Sequence, residues 1–473
     1  MPLNFKDIPV ETTPESPFEG DRLNRANLVR SLFSLTNGLG QSGCVLAING
    51  DWGSGKTTLI QMWKNFITQH GGKSLYFNAW ETDFVNDPLI AMIGELKSVF
   101  PETSKSKALI ANGSRIAAKV GGSLVKGLIK KTIGIDCDVI DSGIDEMTSI
   151  CVESIQEYEK SRTDFENFKN SLREFVASET SDYPIIFFID ELDRCSPHYA
   201  IKVLERVKHL FEVPNIVFVI SVNLNQLQYA VQGFYGSINI DGKEYLRRFI
   251  DLEYSLPEPD IENYVDVLFD KNEYSSFFND KHSYNSYGRN DNEENVRYIS
   301  KDLLSKSNLN LRVINKIMAN FRLILYGFPS NTNVPLDLVF FLCFLKILYP
   351  NIYNKIKNYE YTLQELLDDI ESKLPSALFS NDNFGFTSRH MAFAISSLLL
   401  AYNYRNRGLE SEKDFKASSD DVKDATFPIT PSRIDKSILY EALFYTYKSE
   451  IRILMEGLNL LFERIEFING IRF

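Results

Sequence analysis

Five short apolar runs punctuate the first 260 or so residues: CVLAING (Cys44–Gly50), KSLYFNA (Lys73–Ala79), PIIFFID (Pro184–Asp190), NIVFVISVN (Asn215–Asn223) and FIDLEYSLP (Phe249–Pro257). Each is continuous rather than alternating, which predicts strands covered on both faces. Helical patterns separate them. Leu28, Leu32 and Leu35 fall at helical spacing within the segment Asp21–Leu39, and Thr57–Gln69 and Tyr199–Glu212 read as further helices. Strand alternating with helix predicts a parallel α/β sheet. From about residue 296 onward the strand signals stop and helical patterns run to the C-terminus, with a polar break at Arg405–Asp424. The polar stretch Ser275–Asn295 predicts a surface loop or disordered insert, and residues 1–20 a tail rich in proline and acid.

Composition narrows the class. The 473 residues carry a net charge of −12, with 44% hydrophobic and 24% charged residues, which fits a soluble globular chain of about two to four domains. The acidic balance argues against nucleic-acid binding through a broad basic surface. Five scattered cysteines read as reduced thiols of a cytoplasmic protein, and the N-terminus lacks a secretory pattern. The longest apolar run, Pro335–Pro350, is interrupted by Asp337 and Lys346 and predicts a buried helix, not a membrane span. The five histidines show no ligand spacing, so no histidine metal centre is expected.

The sharpest motif is GDWGSGKT: Gly50, Asp51, Trp52, Gly53, Ser54, Gly55, Lys56 and Thr57. It follows a predicted strand and opens a predicted helix, the context a phosphate-binding loop requires. Glycines let backbone N–H groups turn around phosphate oxygens, and the helix N-terminus adds partial positive charge. Lys56 is expected to reach the β- and γ-phosphates and Thr57 to offer its hydroxyl to Mg²⁺, with Thr58 completing the binding segment. The run IIFFIDELDRC ends in two adjacent carboxylates. At a strand tip beside such a loop, Asp190 is the expected metal-site residue and Glu191 the expected catalytic base. Asn223 ends the next strand, where it either positions water near the γ-phosphate or simply closes a turn.

These pieces, taken in order, resemble the KAP family of P-loop NTPases, relatives of the AAA+ and STAND ATPases. The resemblance runs through DRLNR (Asp21–Arg25), INGDWGSGKTTL (Ile48–Leu59), YFNAWETD (Tyr76–Asp83), FFIDELDRC (Phe187–Cys195), FVISVNLNQL (Phe218–Leu227), YLRRFIDLEYSLP (Tyr245–Pro257) and LNLRVINKI (Leu309–Ile317). It implies an α/β fold: a P-loop NTPase parallel sheet with an extra strand between the phosphate-loop strand and the acidic strand, a helical insertion, and a mostly α-helical C-terminal region. It also implies ATP and Mg²⁺ as ligands. Arg247 and Arg248 then stand either as cations reaching a neighbouring subunit's γ-phosphate or as helix-end caps. Arg312 is implied as a lid arginine reaching ATP, and Asp21–Arg25 as a segment near adenine. The expected division is a tail (1–20), the core (21–260) with its insertion at about 100–150, a lid-like helical segment (261–350) carrying the polar loop 275–295, and a helical domain (351–473).

The insertion is visible as excess length. Lys56 and Asp190 lie more than twice as far apart as the roughly 60 residues that two βαβ units need. Within it, Arg115, Lys119, Lys126 and Lys130 share an arc of about 60° on a helical wheel, and no acid occurs from Thr103 to Ile135. That stripe suits a helix packed on the protein or a partner, or one touching a membrane surface; Gly121–Gly122 would kink or break it. Two function classes follow. One is an ATPase driving assembly or remodelling of a partner complex, with other protein subunits or further copies of itself, in a setting that the resemblance extends to anti-phage defence. The other is a nucleotide-dependent switch or scaffold with slow hydrolysis, membrane-peripheral where the basic stripe meets a lipid surface.

Overall fold

The computed structural model describes residues 12–40, 43–85, 87–100, 102–120, 150–179, 182–210, 213–271, 293–328, 335–379, 386–407 and 427–470. The chain divides between Glu258 and Pro259 into a sheet unit and a helical unit.

The sheet unit runs α1 (Ala26–Leu39), β1 (Cys44–Asn49), α2 (Lys56–Gln69), β2 (Ser74–Asn78), α3 (Pro88–Val99), α4 (Ser104–Val120), α5 (Ile150–Glu179), β3 (Ile185–Asp190), α6 (Pro197–Leu210), β4 (Ile216–Val222), α7 (Leu224–Tyr235), α8 (Gly242–Leu246) and β5 (Leu252–Ser255). The five strands are parallel in the order β2-β3-β4-β1-β5. One strand, β4, therefore lies between β1 and β3, as the family resemblance implies. Continuous apolar runs make sense for β1 to β4, which feed two cores; β5, at the sheet edge, departs from the expectation of two covered faces, with Leu252, Glu253 and Ser255 exposed and only Tyr254 packed inward. Val217 and Val219 of β4 join Ile186 and Phe188 of β3 against α1 and α2, while Ile216, Phe218 and Ile220 join Phe187 and Ile189 on the opposite face. Trp63 of α2 is fully buried on Phe188.

α1 begins later than the sequence pattern suggests. Asn24 has a positive φ of 54°, and the Asp21 carboxylate accepts from the backbone N–H of Leu23 and Ala26, so Asp21–Arg25 forms a capped entry rather than a first turn. The insertion is helical where described. Its α4 packs on α3 and α5 through Leu109, Ile110 and Ile116, and through Phe168, Leu172 and Phe175 of α5. Gly113 permits that approach: a Cβ there would sit 2.1 Å from Ile93 Cδ1. Arg115 is exposed; Lys126, Lys130 and Gly121–Gly122 lie outside the described residues.

The helical unit comprises α9 (Ile261–Lys271), α10 (Glu293–Ser305), α11 (Leu311–Tyr326), α12 (Leu336–Leu348), α13 (Pro350–Lys357), α14 (Leu363–Lys373), α15 (Phe386–Arg407) and α16 (Lys436–Gly470). α12 is the apolar run read as a core helix, and its residues Leu336–Leu345 are all buried. Two polar stretches are narrower than their composition suggests. Glu293–Asn295 opens α10, and α15 continues through Arg407; residues 275–292 and 408–424 lie outside the described residues. α14 is tied to the segment before α16 by Glu371, whose carboxylate accepts from the backbone N–H of Ser432, Arg433 and Ile434 at 2.7–2.8 Å and from the Ser432 hydroxyl at 2.6 Å. No described helix is long and apolar enough to cross a membrane.

Candidate functional site

The register of the sheet gathers polar residues at one edge. Asn49 pairs with Val222 and Ser255, Asp190 with Ser221 and Asn78, so the carboxyl ends of all five strands lie level. A crevice at that edge is where open α/β sheets bind ligands.

The loop from β1 to α2 is closed over its own first residue. Gly53 and Gly55 take φ of 81° and 86°, open to glycine without strain. The Gly50 N–H donates to Val222 O at 3.1 Å, and a Cβ on Gly50 would meet Ser54 Oγ at 2.9 Å. Lys56 donates from Nζ to Gly50 O (2.6 Å) and Asp51 O (3.0 Å). Burial pushes its ammonium below the ordinary lysine value, while Asp193, Asp190 and Asp51 pull the other way. Thr57 is exposed, and Thr58 follows it in the first turn of α2.

Asp190, 1% exposed, is the hub between strands. Its Oδ2 accepts from Thr57 Oγ1 at 2.8 Å and from the Tyr76 hydroxyl at 3.1 Å, and its Oδ1 accepts from the Glu191 backbone N–H at 3.0 Å. Burial, then Asp190, raises the Tyr76 phenol, keeping it a donor. Glu191 sits in the left-handed region (φ 59°, ψ 26°), a costly conformation for a residue with a Cβ. Its carboxylate faces Arg194 Nη2 at 2.9 Å and Asn78 Nδ2 at 3.4 Å. Burial raises its pKa and Arg194 opposes the rise.

Asn223 caps α7, its Oδ1 accepting from the Gln226 N–H at 3.1 Å. Its Nδ2 donates to Asp51 Oδ1 at 2.9 Å, so this strand-end residue also touches the phosphate loop. Arg247 and Arg248 are exposed at the end of α8; Arg247 pairs with Glu244 at 2.8 Å, and among the described residues neither bonds the loop. Arg312 is exposed in the first turn of α11, in the helical unit. Arg25, 6% exposed, donates to Pro257 O. Trp80 is 53% exposed, with the Arg194 guanidinium 5.4 Å from its ring centre. Cys195 is buried, and burial raises its thiol far from the reactive range.

Three residues of the site escaped the reading of motifs. Tyr76 and Asn78 lie on β2, and their signal is alternation toward the tip of a strand paired with the acidic one. Asp193 follows Asp190 by three residues in a run already recognised as acidic. Its Oδ2 accepts from Trp52 Nε1 at 2.7 Å and from the Asn223 backbone N–H at 2.9 Å.

The donors suit a nucleotide and Mg²⁺. Ser54 Oγ is buried inside the loop with no hydrogen-bond partner among the described residues, a polar atom aimed at no protein acceptor. The Thr57 hydroxyl and Asp190 carboxylate form a hard-oxygen pair of the kind Mg²⁺ takes alongside phosphate oxygens. Among the described residues no group of three or more His, Cys, Asp and Glu forms a protein-only metal site.

Comparison with known proteins agrees with the motifs. Over 270 residues, 54% of this chain, the sequence is 23% identical to the phage T7 exclusion protein of Escherichia coli (strain K12), of which the match covers 35%. The chain thus spans about a third of that protein's length. Structures of the Aeropyrum pernix ORC2 protein, in ADPNP–ADP complexes and in the ADP form, align with 10% and 12% identity. They cover 94% of this chain and 95% and 98% of their own, at TM-scores of 0.36 and 0.35, too slight a likeness to bear on function. Residues 25–328, well over half of the sequence, match the KAP family P-loop domain, and the chain belongs to that family.

Proposed function

We propose that this chain binds and hydrolyses Mg-ATP and uses the cycle to drive assembly or remodelling of a partner complex. The observation that carries it is the 2.8 Å approach of the Thr57 hydroxyl to Asp190, at the mouth of a glycine-rich loop and one residue from a strained glutamate. In this proposal Lys56 and the first-turn amides of α2 bind and orient the phosphates. Thr57 and Asp190 would hold Mg²⁺, which when bound neutralises phosphate charge. Glu191 accepts the proton of the attacking water, and burial, which raises its pKa, makes it a stronger base than an exposed glutamate. Asn223, bonded to Asp51, fixes the far side of the loop. Arg247 and Arg248 are the candidate cations offered to another copy's γ-phosphate. Family membership supports nucleotide binding. The relative named for phage exclusion supports a role in anti-phage defence.

A second reading, a switch with slow turnover, draws on one feature: Glu191 is held by Arg194 and Asn78. Phosphate release by the purified chain with Mg-ATP tests both. The first expects turnover that Lys56→Ala abolishes without loss of helical content; the second expects tight nucleotide binding with turnover near background. A Lys56→Ala chain that binds and hydrolyses like wild type would sink both.

A further inference from the structure

Asp193 has no place in the chemistry above. It lies on the short turn Leu192–Arg194, yet one of its oxygens serves two donors from different elements: Trp52 Nε1 of the phosphate loop and the Asn223 N–H at the end of β4. Asn223 returns a bond from its side chain to Asp51. Asp51–Trp52, Asp193 and Asn223 therefore close a ring that fastens the first half of the loop to the turn after β3 and to the tip of β4. Alongside it, Asn49 Oδ1 accepts from the Leu224 N–H at 3.1 Å.

The loop needs such a fastening. With Gly53 and Gly55 in left-handed conformations it has many accessible shapes, whereas phosphate binding needs its N–H groups turned inward together. Burial does not hold Trp52, which is 44% exposed; its indole N–H bond to a carboxylate does. Asp193 also leads the carboxylates that favour the charged form of Lys56.

We infer that Asp193 is a positioning residue: through Trp52 it sets the shape of the phosphate loop and couples the loop to the β4 tip, so that nucleotide affinity depends on it more than the chemical step does. The inference rests on the proposal that the loop binds nucleotide. The test uses the full chain with a fluorescent N-methylanthraniloyl-ATP and Mg²⁺, on wild type, Trp52→Phe, Asp193→Ala, the double variant and Asp193→Asn. Each single removal is expected to weaken binding about tenfold, the worth of one charge-assisted bond. The double variant should bind no more weakly than Asp193→Ala alone, because both changes break the same bond. Asp193→Asn keeps an acceptor oxygen and should recover part of the loss. With ATP, KM should rise about tenfold while kcat stays within about threefold. Additive losses in the double variant, unchanged affinity in Trp52→Phe, or a fall in kcat at constant KM each overturn the inference. If Asp193→Ala does not fold, Trp52→Phe and Asp193→Asn decide it alone. A wild-type chain that binds no nucleotide overturns the functional proposal itself, and this inference with it; a binding wild type with unaffected variants overturns only the latter.

Discussion

Glu191 of the sheet unit and Glu371 of the helical unit are both drawn away from solvent, and the protein treats them in opposite ways. Glu191 has two side-chain partners, one of them at 3.4 Å, on a backbone in the left-handed region. Burial raises its pKa. Glu371 lies in a regular helix, 0% exposed, with four donors within 2.8 Å. Burial alone would raise it too, but the hydroxyl and N–H groups of Ser432, Ile434 and Arg433 outweigh that and leave it below the usual carboxylate value. What separates the two is the supply of donors. A saturated carboxylate is a structural clamp; an under-supplied one on a strained backbone keeps proton affinity available for chemistry.

The contrast breaks first at Glu191. Replacing it with Gln preserves shape and removes the basic oxygen, so turnover is expected to fall about a thousandfold with nucleotide binding retained. Phosphate release and N-methylanthraniloyl-ATP binding measured together check this, and a fall of less than about tenfold would put Glu191 in the same structural class as Glu371.

Glu371→Ala should leave three N–H groups without their acceptor, that of Ile434 buried, and cost the helical unit about 3 kcal/mol. Hydrogen exchange at Ser432, Arg433 and Ile434 is the direct readout, since a two-unit chain need not melt in one step. The pH dependence sharpens the point. A folded pKa held below the unfolded value, about 4.3 for glutamate, contributes stability that is present above that value and lost as pH falls through the folded one. Wild-type protection at these amides should therefore decline on acidification. Glu371→Gln should start lower at neutral pH and respond less to acid.

The smallest effect is expected at Tyr76→Phe. It removes one hydroxyl from Asp190 and leaves Thr57 in place. Loss of such an orienting bond should raise the Mg²⁺ concentration for half-maximal turnover about tenfold. An unchanged Mg²⁺ dependence would make Tyr76 a packing residue of β2.

Much of this molecule is legible before it folds. Strands β1 to β4 appear as apolar runs because both faces of the sheet are covered there, and the phosphate loop declares itself through glycines that its backbone turns require. The segment Asp21–Arg25 reads as helix in the sequence, yet α1 starts at Ala26, because the Asp21 side chain rather than a helical turn takes the N–H groups of Leu23 and Ala26. Glu293–Asn295 is helical despite its loop-like composition, because polar residues suit a solvated helix start as well as a turn. Tyr76, Asn78 and Asp193 were missed for a different reason: their partners are far away in sequence.

By itself, then, the sequence determined what is local: where strands and helices form, which loop can wrap phosphate, and which strand ends in acid, because periodicity and backbone preference act within a few residues. The tertiary structure alone decided which of these pieces meet. Insertion of β4 between β1 and β3 sets Asn223 between Asp51 and Asp193, and brings Trp52 to a carboxylate 141 positions away. Sheet order and register, which no local pattern encodes, bring Thr57 to Asp190 and Asn78 to Glu191, and with them the chemistry proposed for this edge.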